Sequence, residues 1–587
     1  MTGCGRGRLD AGEQPGEMVM YSETSRIRSM DPALTTDVSS ALAVAKIYET
    51  LLQYAYLDRP YHVEPLLAAA MPEVSADGLT YTFKLRHEIY FQDDPCFRAT
   101  GGKGRELVAT DFIYGLLRVM DIKVASAGAW AFAQIVGMEE WRATTGGEQP
   151  TRYDQPIAGL QAPDRYTLRI RLKQPQPQLL WILTMAYAAP VAREAVAFYG
   201  KEFVNHPIGT GPFILKSYRP NYRYEFARNP KWRATGRVDR YPTSTDPRDP
   251  PELRAAAGQP VPFLDRIVQY VVDDSTTAWL MFLTGQLEYS PIARDNWDAV
   301  FNQSRELNAD LVRKGIRLTA APTMQIYYVG FNFDDPVVGK NKKLRQAMSC
   351  AFNEAEYNKF FNNRITRPTG PLPPGVAGYV EQPQPYPFDL ARAKKLLAEA
   401  GYPEGIDPQT GRRLQLQLEA GSADSSEARQ AMELFCSFMD KIGIVVKPNF
   451  NNWPTFLEKL ERRQVQIYSL AWMADYPDAE NFLQLFYGPN SSPSPNHCNY
   501  VNPIFDHLYE QARVMQDSPA RTALYQQMSA IIIEDCPWLM IALPLDHLMH
   551  HGWLGNYKYH DFPYGMIKYY TINADARRAW KQQHARP

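Results

Sequence analysis

The chain has few cysteines for its 587 residues, and their spacing matches no metal site or disulfide framework. The six cysteines stand far apart, with no CxxC and no Cys/His cluster of zinc-like spacing. We therefore predict neither a metal nor a cofactor. Most of these residues are expected to be buried free thiols, while one disulfide between loops, joining Cys96 to Cys498, stays open.

Long apolar runs are also lacking. The longest, Leu179 to Ala192, contains Thr184 and Pro190 and stops at Arg193. It falls short of the roughly 20 residues that a membrane-spanning helix needs. We predict a buried helix in this segment.

The sequence lacks the signatures of several functional classes. Lys and Arg total 63 against 64 for Asp and Glu, so no excess of basic charge indicates nucleic-acid binding. The loop ATGGKGRE lacks the GxxxxGK[ST] spacing of a phosphate-binding loop. No GxSxG occurs, and the histidines form no evident Ser/His/Asp set. The adjacent His550 and His551 would point to opposite faces of a strand, which favours a structural role over metal binding.

What the chain does have is length, an ordinary apolar fraction of 45%, 46 prolines and 35 tyrosines. This length predicts two to four packed units. Many prolines indicate long ordered connections, and abundant tyrosine suits surfaces that stack on a ligand and hydrogen-bond to it.

The N-terminal residues 1–17 are Gly-rich and charged, and we interpret them as a flexible tether. Within them, Cys4 ends the sequence MTGC, which resembles the end of a bacterial lipoprotein signal. The basic and apolar portions of such a signal are missing, so lipidation of Cys4 stays open.

Apolar periodicity predicts a mixed α/β chain. LTYTFKLR and YTLRIRLK alternate as half-buried strands, and Leu42 to Leu52 has helical spacing. After Thr319, strand-like segments (IYYVGFNF, LQLQLEA, GIVVKPNF, QIYSLAW) alternate with helical ones. Such alternation indicates two β-α-β crossovers and a mostly parallel sheet, which binds ligands beyond the carboxyl ends of its strands.

Two aspartates follow the last of these strands. Asp475 comes three residues after Trp472, where the strand should end, and this position favours a binding cleft over a helix cap. Asp478 precedes AENFLQLF, where a capping role fits better.

Six segments, in order, resemble the dipeptide/oligopeptide-binding family of extracytoplasmic solute-binding proteins that serve ABC importers. They are SMDPALTTD, ELVATDFIYGLLRVMD, HPIGTGPFILKSYRPNYRYEFARNPKW, KKLRQAMSCAFNEAEY, DLARAKKLLAEAGY and CPWLMIALP. The resemblance runs from Met18 to about Asn573.

This resemblance implies a two-lobe Venus-flytrap architecture, the type II periplasmic-binding-protein fold with an extra inserted domain. The first lobe would comprise 18–53, 161–320 and 545–575, the inserted domain 54–160, and the second lobe 321–544. Closure of hinged lobes would bury the ligand.

The family's chemistry implies a peptide ligand. In peptide-binding members a WxxD motif supplies the aspartate that pairs with the ligand's α-ammonium, and Trp472-Met473-Ala474-Asp475 fits it. Ser469 stands where some members have an arginine for the ligand carboxylate, and Gly330 where some have an acidic residue. Site predictions are therefore Asp475, Trp472 and Asp478.

The resemblance also implies partners and a location. We expect a monomer in the periplasm or cell envelope that hands its ligand to a membrane permease with ATPase subunits, without catalysis. Other members take nickel complexes, haem, opines or oligosaccharides, so a non-peptide solute stays open. A less favoured alternative is a glycoside hydrolase that pairs Asp475 with Asp478 or Glu480.

Overall fold

The computed structural model of the chain describes residues 16–23, 27–35, 37–233, 238–272, 274–292, 296–302, 306–421 and 426–584. They form two compact units. The first unit reaches to Thr319 and resumes at His547, and the second unit spans Ala320–Asp546. Cys4 and most of the predicted tether lie outside the described residues, and Glu17 already belongs to a strand.

The first unit contains short strands and helices. Its strands are Glu17–Glu23, Leu52–Tyr54, Val63–Pro65, Glu73–Val74, Thr80–Lys84, Leu160–Asp164, Thr167–Arg171, Phe213–Arg219, Arg223–Arg228, Arg266–Val272, Tyr289–Pro291, Leu554–Gly555 and Thr571–Ile572. Its helices are Val38–Ile47, Ala109–Met120, Met138–Ala143, Leu179–Ile182, Arg193–Tyr199, Pro251–Ala255, Ser275–Leu283, Trp297–Val300, Ala309–Arg313 and Ala574–His584. The chain passes between the units within the strands Ile316–Pro322 and Trp538–His551.

The two alternating segments of the first unit form strands, as predicted, and the structure pairs these strands with each other in antiparallel register. Tyr81 pairs with Ile170 and Phe83 with Leu168, and all four side chains are buried. Alternate residues of a strand point to one face, so the apolar positions of both segments enter the same core.

The apolar segment from Leu179 is not the predicted buried helix. The helix stops at Ile182 and a separate short turn follows at Ala186–Ala188. The Thr184 hydroxyl donates to the carbonyl of Trp181 at 2.7 Å, a local bond that competes with helix propagation. No helix in the described ranges combines the length and apolarity of a membrane span.

The segment HPIGTGPF is held by the end of a helix. The helix Val38–Ile47 begins and ends earlier than the predicted segment 42–52. Its last carbonyl, that of Ile47, accepts from the backbone N–H of Gly211 at 2.7 Å. A Cβ on Gly209 would lie 2.1 Å from the Ile47 oxygen, and a Cβ on Gly211 would lie 2.5 Å from it. These glycines are therefore required by close backbone contact.

Late and early parts of the sequence meet in the first unit. Arg577, on the last helix, donates to the carbonyl of Glu17 at 2.6 Å and to the carboxylate of Glu288 at 2.8 Å. Arg577 and Glu288 are each 2% exposed, so this is a buried ion pair. The C-terminal helix is thus an integral part of the unit.

The second unit consists of one main sheet and surrounding helices. Its strands are Gln325–Phe331, Ile365–Thr366, Ile406–Asp407, Arg412–Arg413, Gln415–Ala420, Val445–Phe450 and Ile467–Met473, with the first part of Trp538–His551. Its helices are Lys342–Ala351, Glu354–Phe360, Leu390–Glu399, Ser426–Asp440, Trp453–Glu461, Glu480–Leu483, Pro503–Ala512 and Pro519–Asp535.

Both predicted crossovers are present in this sheet. The strand Gln415–Ala420 lies between Val445–Phe450 and Ile467–Met473 and is parallel to both. The strand Gln325–Phe331 runs antiparallel to Ile467–Met473, so only part of the sheet is parallel. The predicted lobe and inserted-domain boundaries stay predictions.

The described cysteines form no disulfide, so the pairing of Cys96 with Cys498 is wrong. Both are buried, and the Cys498 sulfur contacts the Tyr468 hydroxyl at 3.2 Å. Burial raises the pKa of Cys498 to about 11, which keeps it a neutral thiol.

Candidate functional site

Asp475 lies at the edge of the second unit's sheet where its parallel strands end. The three strands Gln415–Ala420, Val445–Phe450 and Ile467–Met473 run in the same direction, so their carboxyl ends share this edge. Asp475 comes two residues after Met473. This is the position in an open α/β sheet at which ligands bind.

One buried side chain joins the two ends of the Trp472-x-x-Asp475 motif. The amide oxygen of Asn481 accepts from the indole N–H of Trp472 at 3.1 Å and from the backbone N–H of Asp475 at 3.0 Å. Its amide nitrogen donates to Asp475 Oδ2 at 3.1 Å. Asn481 is fully buried. The motif is thus a fixed local structure.

The carboxyl group of Asp475 is exposed to solvent, yet the protein around it desolvates it. Desolvation raises the pKa of Asp475, and the hydrogen bond from Asn481 offsets part of this effect. No cation among the described residues pairs with this carboxylate, and only its Oδ2 atom has a hydrogen-bond partner.

Asp478 is placed very differently. Its side chain is buried, and Oδ2 lies 2.9 Å from Arg521 Nη1. Its Oδ1 atom accepts from the backbone N–H of Glu480 at 2.9 Å and from the hydroxyl of Tyr525 at 2.9 Å. The N-cap of the helix Glu480–Leu483 is Ala479, so Asp478 bonds the first helical N–H from one residue before the cap position, and the predicted N-cap role is wrong. A role of Asp478 in ligand binding stays a prediction, with both carboxylate oxygens already engaged.

Glu480, the other carboxylate of the hydrolase alternative, is also buried. Its oxygens accept from the hydroxyl groups of Tyr476, at 2.7 Å, and Tyr509. Desolvation raises the pKa of Glu480. Neither buried carboxylate presents an unpaired oxygen beside Asp475, so the local geometry lends the hydrolase no support.

Two exposed side chains that the sequence analysis did not identify lie on strands at the same edge. Tyr327 is 43% exposed and Met473 is 55% exposed. Tyr327 pairs with Ala471, and Gln325 pairs with Met473. An aromatic ring and a flexible thioether offer adaptable apolar contact on this part of the sheet. The sequence did not identify Tyr327 and Met473 as site residues, because apolar residues in a strand-like segment are expected to lie in the core.

Gly330, expected from the resemblance to be a variable site position, has no room for a side chain. A Cβ at this position would lie 2.3 Å from Cζ of Tyr468 on the neighbouring strand. Tyr468 is buried and pairs with Gly330 across the sheet. An acidic residue at 330 is therefore incompatible with this packing. Ser469, on the same strand as Tyr468, pairs with Val329.

Comparison with known proteins agrees with this architecture. A family profile described as "Bacterial extracellular solute-binding proteins, family 5 Middle" matches residues 62–494, which is more than half of the chain. The chain belongs to this family of extracellular solute-binding proteins.

Several relatives resemble the chain over most of its length. The "Di/tripeptide-binding protein 2" of Pseudomonas aeruginosa is 25% identical over 91% of this chain and 90% of the relative. The "Heme-binding protein A" of Haemophilus influenzae is 24% identical over 97% and 94%, respectively.

Solved structures share the fold. The periplasmic binding protein DppA of Helicobacter pylori, in complex with the peptide STSA, superposes with a TM-score of 0.68 at 23% identity. The match covers 95% of this chain and 98% of that protein. This structural likeness shows the fold alone.

Proposed function

We propose that this protein captures peptides outside the cytoplasmic membrane for an ABC importer, and that Asp475 binds the α-ammonium of the peptide. The observation that carries the proposal is the carboxylate of Asp475, which lacks a cationic partner in the described part of the chain and sits beyond the ends of parallel strands. Relatives named for peptide binding support the ligand class.

The energetics favour such a pair. An ammonium group that loses water without a counter-charge is costly to bind. A carboxylate about 4 Å away contributes roughly 4 kcal/mol at an effective dielectric constant near 20. The Oδ1 atom of Asp475 has no hydrogen-bond partner in the described structure and is available for this contact.

The proposed role is delivery without catalysis. A membrane permease and its ATPase subunits would receive the peptide and supply the energy, and the protein would act as a monomer. Lipidation at Cys4 would hold it at the membrane. The two buried carboxylates near Asp475 are committed to Arg521 and to tyrosines, which leaves Asp475 without an acid or base partner on this segment.

Haem is the main competing ligand, because a relative is named for binding it. Haem carries two propionates and no ammonium group. An unpaired carboxylate would repel these propionates and would attract a peptide N-terminus. The site therefore favours a ligand with a free amine.

The test begins with native mass spectrometry of the purified protein, which identifies any retained ligand. Calorimetry then compares trialanine, N-acetyl-trialanine and haem. We expect trialanine to bind and the acetylated peptide to bind at least tenfold more weakly. Equal affinity for the two peptides, or binding of haem alone, would refute the proposal.

A further inference from the structure

The orientation of the Asn481 amide is fixed by the chemistry of its neighbours. Its oxygen faces the indole N–H of Trp472 and the backbone N–H of Asp475, and both groups only donate. The amide nitrogen must therefore face Asp475 Oδ2, 3.1 Å away. A flipped amide would lose all three hydrogen bonds.

This orientation has an electrostatic consequence. An amide N–H donates to an ionised carboxylate, and the bond lowers the pKa of Asp475 against the desolvation that raises it. The backbone and indole bonds also fix the carboxylate in one position relative to Trp472. Asn481 is fully buried and shielded from competing water.

We propose that Asn481 is a positioning residue that keeps Asp475 ionised and aims its free oxygen at the ligand's ammonium group. This inference rests on the proposed function of Asp475. Asn481 does not itself contact the ligand, because it is fully buried and its amide bonds to Trp472 and Asp475 within the motif.

The first test needs no ligand. Asn481→Asp keeps the shape and the acceptor but places a second carboxylate beside Asp475. We expect thermal stability to fall at about pH 8 and to recover toward about pH 4, where the two groups share a proton. The double variant Asp475→Asn/Asn481→Asp reverses the donor and acceptor and should regain most of the lost stability at high pH.

The second test measures binding of trialanine as a function of pH. On the acid side, affinity falls as Asp475 takes up a proton. In Asn481→Asp, the pH at which half of the affinity is lost on this side should be higher than in the wild type by about one unit or more. The double variant should be stable but should not bind, since its charge lies on a buried side chain.

A matched control is Asn502, whose amide donates to the carboxylate of Asp535 at 3.1 Å in the same unit. Asn502→Asp creates the same kind of carboxylate pair on residues outside the three parallel strands, and Lys342 lies 3.8 Å from Asp535 to limit the loss of stability. It should leave the pH dependence of binding unchanged.

The outcomes separate the two proposals. If the double variant is as unstable as Asn481→Asp, or if Asn481→Asp binds trialanine with the wild-type pH profile, the role of Asn481 is refuted. If wild-type protein binds no trialanine at any pH, the proposed function fails, while the ligand-free stability comparison still decides the role of Asn481.

Discussion

Arg521 Nη1 lies 2.9 Å from Oδ2 of Asp478, with the two side chains 2% and 6% exposed. The hydroxyl of Tyr525 donates to the other carboxylate oxygen of Asp478 at 2.9 Å. Removing Asp478 would leave the buried Arg521 guanidinium with only the exposed Asp517 carboxylate, 2.5 Å from Nη1, as its counter-charge. The loss therefore exceeds the net stabilisation that the buried pair provides.

We therefore expect Asp478→Asn to lower the free energy of unfolding by about 3 kcal/mol, measured by urea denaturation. Trialanine affinity of the folded protein should stay at the wild-type level. Asp440→Asn, which breaks the exposed pair between Arg413 and Asp440, should cost under about 1 kcal/mol. A large loss of affinity in Asp478→Asn would instead assign Asp478 to the binding site.

Asp475→Asn should have the opposite effects: a loss of trialanine affinity without a loss of stability. The melting-temperature increase that trialanine produces should largely disappear, because the ammonium loses its counter-charge. Without ligand, the variant should melt at or above the wild-type temperature, since a neutral amide avoids the desolvation that raises the pKa of Asp475. Differential scanning fluorimetry measures both. A full peptide-induced increase in the variant would place the anchor elsewhere.

The affinity for trialanine should be bell-shaped with pH. The free protein holds Asp475 with a raised pKa, and a bound ammonium would lower that pKa. Affinity is therefore complete above the free-state pKa and falls as pH decreases from there to the bound-state pKa. It also falls above about pH 8, where the peptide amine loses its proton. Calorimetry at several pH values would reveal a flat profile if no ion pair forms.

Gly330→Ala should destabilise the second unit. The added Cβ would lie 2.3 Å from Cζ of the buried Tyr468 ring, so the ring or the strand must move. Overpacking of this kind costs about 1–3 kcal/mol. Gly147→Ala is the control, because nothing lies within 4 Å of its added Cβ. Equal melting temperatures for both variants would contradict this account.

Much of the fold is predictable from local patterns because those patterns have local causes. The alternation of Tyr81 and Phe83 follows directly from burial of one strand face. The end of the helix at Ile182 is not predictable in this way, since an apolar run does not show whether side-chain bonds such as that of Thr184 will compete with the helix.

The candidate site is less predictable from the sequence than the fold is. The spacing of Trp472 and Asp475 is visible, but their link through Asn481 depends on how the chain turns after the strand. The ion pair of Asp478 is not predictable from the sequence, because its partner Arg521 is brought close only by tertiary packing. Exposure of Tyr327 likewise depends on what covers the sheet edge.

The buried pair of Glu288 and Arg577 has a consequence for how the protein is made. Synthesis proceeds from the N-terminus, so Glu288 emerges long before Arg577 and has no partner to neutralise it in the interior. The second unit is contiguous in sequence and is complete earlier. Native assembly of the first unit must therefore wait for nearly the whole chain, whereas the second unit can fold before synthesis ends.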